Sequence, residues 1–490
     1  METAAFNITE ATINEIQQAF KENRLSSVQL VQGYLDRIEK FDRNGPKINS
    51  VLALNPDALK IAAELDEMRG QDGQGPLYGI PVLLKDNIET TDPMPTTGGT
   101  IALQQNFARQ DAFVAAQLRQ AGAIILGKVN LSEWAYFMSK DGPSGYSALG
   151  GQVLNPYGVA TFKAGDVGGS SSGTGAGIAS NFAVVGVGTE TSGSILSPAS
   201  ANSIVGIKPT VGLISRSGII PISESQDTAG PMARTVADAA ILLGVLTGAD
   251  ERDPATQPGA AQVLSDYTPH LKTDGLKGAR IGVDISFLND EDPEQRAIVD
   301  RAIEHMRLQG ATVEEVTIPV EPFQSDVLWY EFKRGVNDYL RTVPDDVPVK
   351  SLADVIEFNK QDPERRMKFG QAELEKSQSM SADPADPTYL AHRATDLRTA
   401  AAEGIDAVMA EQELDALLFQ DNRGAGMPAK AGYPSITVPA GYTGTGLPVG
   451  ITFSAQAYSE PRLIELAYSY EQATKKRNAP DFGVDTPNID

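Results

Sequence analysis

From about residue 76 onward, short apolar runs that end in polar residues alternate with stretches of helical spacing. PVLLKDN, GAIILGKVN and FAVVGVGTE each read as a buried strand, whereas DAFVAAQLRQAG and ARTVADAAILLGVL carry the three-to-four-residue spacing of helices. The alternation predicts an α/β fold, a large central mixed sheet covered by helices on both faces. Sheets of this kind place chemistry beyond the C-terminal ends of their strands, which is where Lys85 and Glu190 fall. Residues 1–75 read as an N-terminal helical segment: Thr12 and Glu15 have capping-box spacing, and Ser27 precedes an apolar face of Val28, Val31, Leu35 and Ile38. Between about 250 and 415 the pattern loosens into charged helices and Pro/Asp-rich connections such as KSQSMSADPADPTY, which predicts a helical insertion or cap. The sheet resumes with DALLFQD, PSITVPAGY and LPVGITFSA, followed by a helix from about Pro461 to Thr474. Strand-forming runs on both sides of the excursion predict one domain over 76–490, and no repeat period is visible.

Charge narrows the partners. A formal net charge of -23 repels nucleic-acid phosphates and anionic lipid heads, so neither nucleic acid nor membrane is expected as a partner. No long uncharged apolar span and no leader pattern in METAAFNITEATINEIQQ are visible, so the chain is expected to be soluble, and cytoplasmic by default unless a leader has been removed. With no cysteine there is neither thiolate nucleophile nor Cys-ligated metal, and His270, His305 and His392 lie outside any glycine-rich or apolar context. A nucleophile in this chain therefore needs a base other than histidine.

The chemistry concentrates in two glycine-serine runs. DVGGSSSGTGAGIAS, residues 166–180, admits three readings: a phosphate cradle, a nucleophile elbow centred on Ser171, or a tightly packed helix. The first lacks the GK[ST] of a P-loop, and the second lacks a preceding buried strand and a suitably placed histidine. FAVVGVGTETSGSILSPASAN, residues 182–202, runs from a strand into a Thr-Ser-Gly turn and then a helix after Ser197-Pro198. Such a turn aims successive backbone N–H groups into one small volume, as a developing oxyanion requires, and Ser194 closes it. A serine hydroxyl needs a base. Lys85 closes the apolar strand GIPVLLK, and a buried unpaired lysine loses its charge readily: moving its pKa to near 7 takes roughly 4 to 5 kcal/mol of desolvation. A serine between Lys85 and Ser194 would pass the proton, and the triple-serine run supplies one.

GIPVLLKDNI, GGSSSGTGAGIAS and GTETSGSILSPAS, in that order, resemble the amidase signature family of Ser-Ser-Lys hydrolases. In that family the middle serine lies 24 positions before the nucleophile, and Ser170 to Ser194 is 24. GKVNLSEWA, GYPSITVPAGY and GLPVGITF extend the likeness over about residues 25–475. Within the family, VGLISRSGIIPISESQDTAGPMAR and SEPRLIELAYSYEQ are most similar to bacterial peptide amidases, which remove ammonia from peptide C-terminal amides. The resemblance implies the amidase signature fold, Ser194 as nucleophile, Ser170 as bridging serine behind a cis peptide bond, and Lys85 as base. It further implies an oxyanion hole from the backbone N–H groups of Thr191, Ser192, Gly193 and Ser194, and neither metal nor organic cofactor. Trp134, Tyr136, Phe137 and Ser171 are candidate pocket residues. The substrate is expected to be a small-molecule or peptide amide, and the protein a monomer or homo-oligomer. The chain departs from the family where Leu196 and Glu190 replace a frequent Arg and Asp, and where LLFQDNRGAG replaces a more apolar, proline-containing segment. A glutaminase-type subunit of a tRNA-dependent amidotransferase and a non-catalytic binding protein on the same scaffold are the alternatives.

Overall fold

A computed structural model of the chain describes residues 6–71, 74–159, 161–163, 165–289, 291–319 and 323–483. Part of the N-terminal stretch inspected for a leader, residues 1–5, lies outside the described residues. Eleven strands form the central sheet: β1 (Val51–Leu54), β2 (Pro81–Lys85), β3 (Ile124–Val129), β4 (Val185–Glu190), β5 (Val205–Lys208), β6 (Thr228–Ala233), β7 (Arg280–Val283), β8 (Thr312–Glu315), β9 (Ala416–Gln420), β10 (Ser435–Tyr442) and β11 (Pro448–Ser454). Their spatial order is β1-β3-β2-β4-β6-β5-β10-β11-β9-β7-β8. β3, β2 and β4 run parallel, as do β9, β7 and β8, while the joints between and beyond them are antiparallel. The predicted mixed sheet is what forms.

Helices cover the sheet where small residues admit them. Ser172–Ala179 and Leu196–Ala201 lie on one face. A Cβ on Gly186 would come within 2.7 Å of Thr174, and one on Gly206 within 2.7 Å of Ala199, so glycine in these strands sets the helix-to-sheet distance. Val236–Leu246 packs on β6 from the other side and meets Phe113–Gln120 and Glu460–Thr474. The packed-helix reading of the glycine run therefore holds: all eight residues of Ser172–Ala179 are buried.

The structure redraws two boundaries. The N-terminal segment begins with helices Ile13–Lys21, capped by Thr12 and Glu15, and Ser27–Arg37. Ser26, and not Ser27, caps the second, through a box with Gln29. Residues 51–54 nevertheless belong to the sheet, because β1 pairs antiparallel with β3, so residue 75 marks no structural border. The 250–415 region likewise contributes β7 and β8 to the sheet edge. What caps the fold is narrower: Val327–Leu340, Leu352–Lys360 and Ala372–Ser379 bury a second core against Leu103, Trp134, Phe137, Ile220 and Ile222.

Candidate active site

Lys85 ends β2 and Glu190 ends its parallel neighbour β4, so both side chains leave the sheet at the same edge. Lys85 is fully buried. Its Nζ stands 2.7 Å from Ser170 Oγ, 2.9 Å from Thr189 Oγ1 and 3.2 Å from Thr189 O. Three oxygens surround one amine. If the amine is charged it donates to all three; if neutral, Thr189 receives its two N–H groups and the lone pair faces the Ser170 hydroxyl. Burial pushes the Lys85 amine down to about 7, against the opposing pull of Asp227 and Glu190.

Ser170 precedes the helix Ser172–Ala179, and the Gly169–Ser170 peptide bond is cis. The approach is too close for a side chain at Gly169, where a Cβ would lie 2.6 Å from Ser132 Oγ. Ser171 ties this run to the Ser194 turn: its N–H donates to Ser194 O at 3.1 Å. Its hydroxyl donates to Thr189 O at 3.0 Å and accepts from Thr189 N at 3.2 Å. Ser171 is thus fully buried between Ser194 and the Lys85 neighbour Thr189, and does not line a pocket.

Glu190 fixes the turn from the other side. Its buried carboxylate accepts the N–H groups of Gly193 at 2.6 Å, Ile195 at 2.7 Å and Leu196 at 3.1 Å. Burial pushes its carboxyl up, while Lys208 and the three N–H groups pull it down. Of the four amides assigned to an oxyanion hole from the sequence, Gly193 is therefore turned toward Glu190. Those of Thr191, Ser192 and Ser194 donate to no acceptor among the described residues, and neither does the Ser194 hydroxyl. Gly193 has φ +83° and abuts the departing segment: a Cβ there would meet Asn422 Nδ2 at 2.9 Å.

A cleft of about 590 Å³ opens beside Thr189 and Thr191, walled by Ile219, Ile222, Glu331 and Arg334. Asp227 also lines it, taking the Thr191 hydroxyl at 2.5 Å and the N–H groups of Ile222 and Ser223 at 2.7 and 2.8 Å. Burial raises its carboxyl to about 6 despite these bonds. Trp134 and Phe137 do not line this cleft. They pack in the second core against Phe332, at centroid distances of 6.1 and 4.6 Å, because the cap helices need an apolar footing there. Tyr136 turns to a separate recess beside Tyr146 and Phe369 and donates to Gly142 O at 3.1 Å. Ala135, between left-handed Trp134 and Tyr136 and itself left-handed, is the residue of this stretch that lines the cleft.

Sequence reasoning missed Thr189 as a Lys85 partner, Glu190 as the clamp of the turn, and Asp227. Glu190 alone gave a signal, its place at a strand end. Among the described residues, no group of three or more His, Cys, Asp or Glu is placed to hold a metal ion, and no helix is long and apolar enough to cross a membrane. His270 sits against Glu465 and His392 accepts the Asp326 N–H, both away from the cleft.

Comparison with known proteins places this geometry. The family model described as Amidase matches residues 29–464. A probable amidase of Arabidopsis thaliana is 40% identical, with 98% of this chain and 93% of that protein covered. The crystal structure of native peptide amidase from Stenotrophomonas maltophilia superposes with a TM-score of 0.90 at 44% identity, covering 97% of this chain and 99% of that one. A glutamyl-tRNA(Gln) amidotransferase subunit of Desulfosudis oleivorans is 32% identical over 95% of this chain and 98% of its own length. Matched over most of its length by the family model and by relatives that align almost end to end, the chain belongs to the amidase family of amide-hydrolysing enzymes.

Proposed function

We propose that this amidase cleaves carboxylic amides through an acyl-enzyme on Ser194, with Ser170 as the bridging serine and Lys85 as the base, and that peptides bearing a C-terminal amide are its substrate class. The observation that carries the proposal is the 2.7 Å contact between a fully buried lysine amine and the Ser170 hydroxyl, in a run bonded to the backbone of Ser194. Neutral Lys85 accepts the Ser170 proton as Ser170 accepts that of Ser194, once the Ser194 hydroxyl turns toward it about its Cα–Cβ bond. The Ser194 oxygen then bonds to the amide carbon. The negative charge passes to the carbonyl oxygen, which takes the N–H groups of Thr191, Ser192 and Ser194. The relay returns the proton to the nitrogen, the C–N bond breaks and ammonia leaves. Water repeats the sequence on the ester: its proton travels to Lys85, its oxygen bonds to the acyl carbon, and Ser194 departs with the proton returned.

Support for a peptide substrate comes from the likeness to a peptide amidase at 44% identity. The cleft of about 590 Å³ beside Thr189 and Thr191 offers both apolar and polar wall to such a substrate. Ammonia release from amidated di- and tripeptides and from free small amides, set against arylamine release from anilides, tests both parts. Preference for the amidated peptides and its loss in Ser194→Ala is the expected result; equal turnover of anilides removes the peptide assignment, and activity surviving Ser194→Ala removes the nucleophile. The likeness to an amidotransferase component favours a second reading, glutamine hydrolysis for a partner, against which the net charge of -23 weighs. Ready hydrolysis of free glutamine with no turnover of amidated peptides would select it.

A further inference from the structure

The helix that starts two residues after Ser170 has an unusual far end. A helix leaves its last carbonyls without intrahelical partners, and burial of Ser172–Ala179 keeps water from supplying them. The N–H groups of Ser180, Phe182 and Asn181 take Ala176 O, Gly177 O and Ile178 O, and three arginines from distant parts of the chain bond the carbonyls of Ile178, Ala179 and the turn that follows. Arg37 donates Nη2 to Ser180 O at 2.9 Å and Nε to Asn181 O at 3.1 Å. Arg477 donates Nη2 to Ala179 O at 3.1 Å, and Arg234 donates Nη1 to Ala183 O at 2.8 Å and Ile178 O at 3.3 Å. Their positive charge also suits the negative end of the helix dipole.

Two of the arginines are themselves held. Arg477 forks onto Glu10 at 2.7 and 2.8 Å and reaches Ser203 O at 2.8 Å, while Arg234 donates Nη2 to Ala11 O at 2.7 Å. Burial would raise the Glu10 carboxyl, yet the Arg477 guanidinium prevails and holds it at about 2. Along its length the helix is seated on backbone: a Cβ on Gly173 would lie 2.4 Å from Asn130 O, and one on Gly175 2.8 Å from Pro198 O. It behaves as a short rod with the proposed bridging serine at one end and an arginine cluster at the other.

We propose that Arg37, Arg234 and Arg477 are positioning residues that clamp the far end of this helix and thereby set where Ser170 stands between Lys85 and Ser194. The inference rests on the proposed Ser-Ser-Lys relay. Its lever is simple: an eight-residue helix is about 12 Å long, so a tilt of about 5° shifts its near end by ~1 Å. A misplacement of that size costs on the order of 10²-fold in rate when reacting groups must align.

The test compares Arg477→Ala and Arg477→Lys with Arg462→Ala, which removes an arginine paired with Asp415 and Glu465 away from this helix. Kinetic constants on an amidated dipeptide are taken well below each variant's unfolding midpoint and normalised to Ser194 counted by labelling with a serine-directed fluorophosphonate. Amide hydrogen exchange is followed across residues 170–181. Arg477→Ala is expected to lower kcat per labelled site by about 10- to 100-fold with KM within about twofold, and to speed exchange in that segment. Arg477→Lys, keeping the charge and one donor, recovers part of the rate, and Arg462→Ala stays within about twofold. Unchanged kcat per labelled site in Arg477→Ala, with only a lower unfolding midpoint, overturns the clamp. If Arg477→Ala does not fold, Glu10→Gln loosens the same arginine and is read the same way. Failure of the relay itself shows separately, as full activity in Lys85→Ala, and the exchange measurement still decides whether the arginines hold the helix.

Discussion

Lys85 and Lys208 each end a strand of the same sheet, and each is fully buried, yet their surroundings ask opposite things of them. Lys208 donates to Tyr433 O at 2.6 Å and Pro209 O at 3.4 Å, and Glu190 and Glu460 oppose the burial that pushes its amine down to about 8. Carbonyls only accept, so that site holds a donor in place. Lys85 instead has two hydroxyl neighbours that can give a proton back, Ser170 and Thr189, of which Ser170 is the nearer and lies in the run bonded to Ser194. Burial alone does not make a base; what the amine is bonded to decides. The two lysines are also joined, because Glu190 lies in the field of both.

The comparison can be broken by substitution. Lys85→Met is expected to lower kcat by at least about 10³-fold in ammonia release, as is Ser194→Ala, whereas Lys208→Met stays within about tenfold. A loss in Lys208→Met as deep as in Lys85→Met would erase the distinction. Glu190→Ala, which frees three N–H groups of the nucleophile turn, is expected to cost on the order of 10²-fold in kcat, with Glu190→Gln between it and wild type because one acceptor oxygen remains.

Stability sharpens the comparison with the opposite sign. The folded pKa of Lys85 lies below its unfolded value, so between about pH 7 and 10.5 the unfolded chain binds the extra proton and stability rises with pH. Lys85→Met removes that slope and is expected to be more stable at pH 7, by at most about 5 kcal/mol, in denaturant unfolding. Ser171→Ala follows, with a loss of about 1 to 3 kcal/mol, since it strands the Thr189 N–H inside the protein. His305→Ala, on the helix Pro293–Leu308, should change neither activity nor stability measurably.

What was legible in the sequence follows from how local each signal is. PVLLK and FAVVGVGTE are apolar runs ending in a polar residue, and their strands form with Lys85 and Glu190 at the edge, as read. The four-residue β1 carries no comparable contrast within NSVLALNP, so the pattern predicts a helical segment where the sheet has an outer strand. Trp134, Ala135 and Tyr136 adopt left-handed backbone that their side chains disfavour, so nothing local announces that the two large rings leave the cleft. Lys85 and Ser194 stand out locally, at the end of an apolar strand and of a Thr-Ser-Gly turn, whereas the choice of Ser170 among three serines rested on spacing shared with a family. Arg37, Arg234 and Arg477 were not readable at all, because the fold alone brings them to one helix end.

As the proposed base, the Lys85 amine is uncharged at working pH and hydrogen-bonded to the Ser170 hydroxyl. The pH dependence of kcat/KM on an uncharged peptide amide tests it most directly. The expected profile rises with an apparent pKa near 7 to a plateau above about pH 8, as the amine gives up its proton. A profile flat from pH 5 to 9, or one that climbs only toward pH 10, would contradict it.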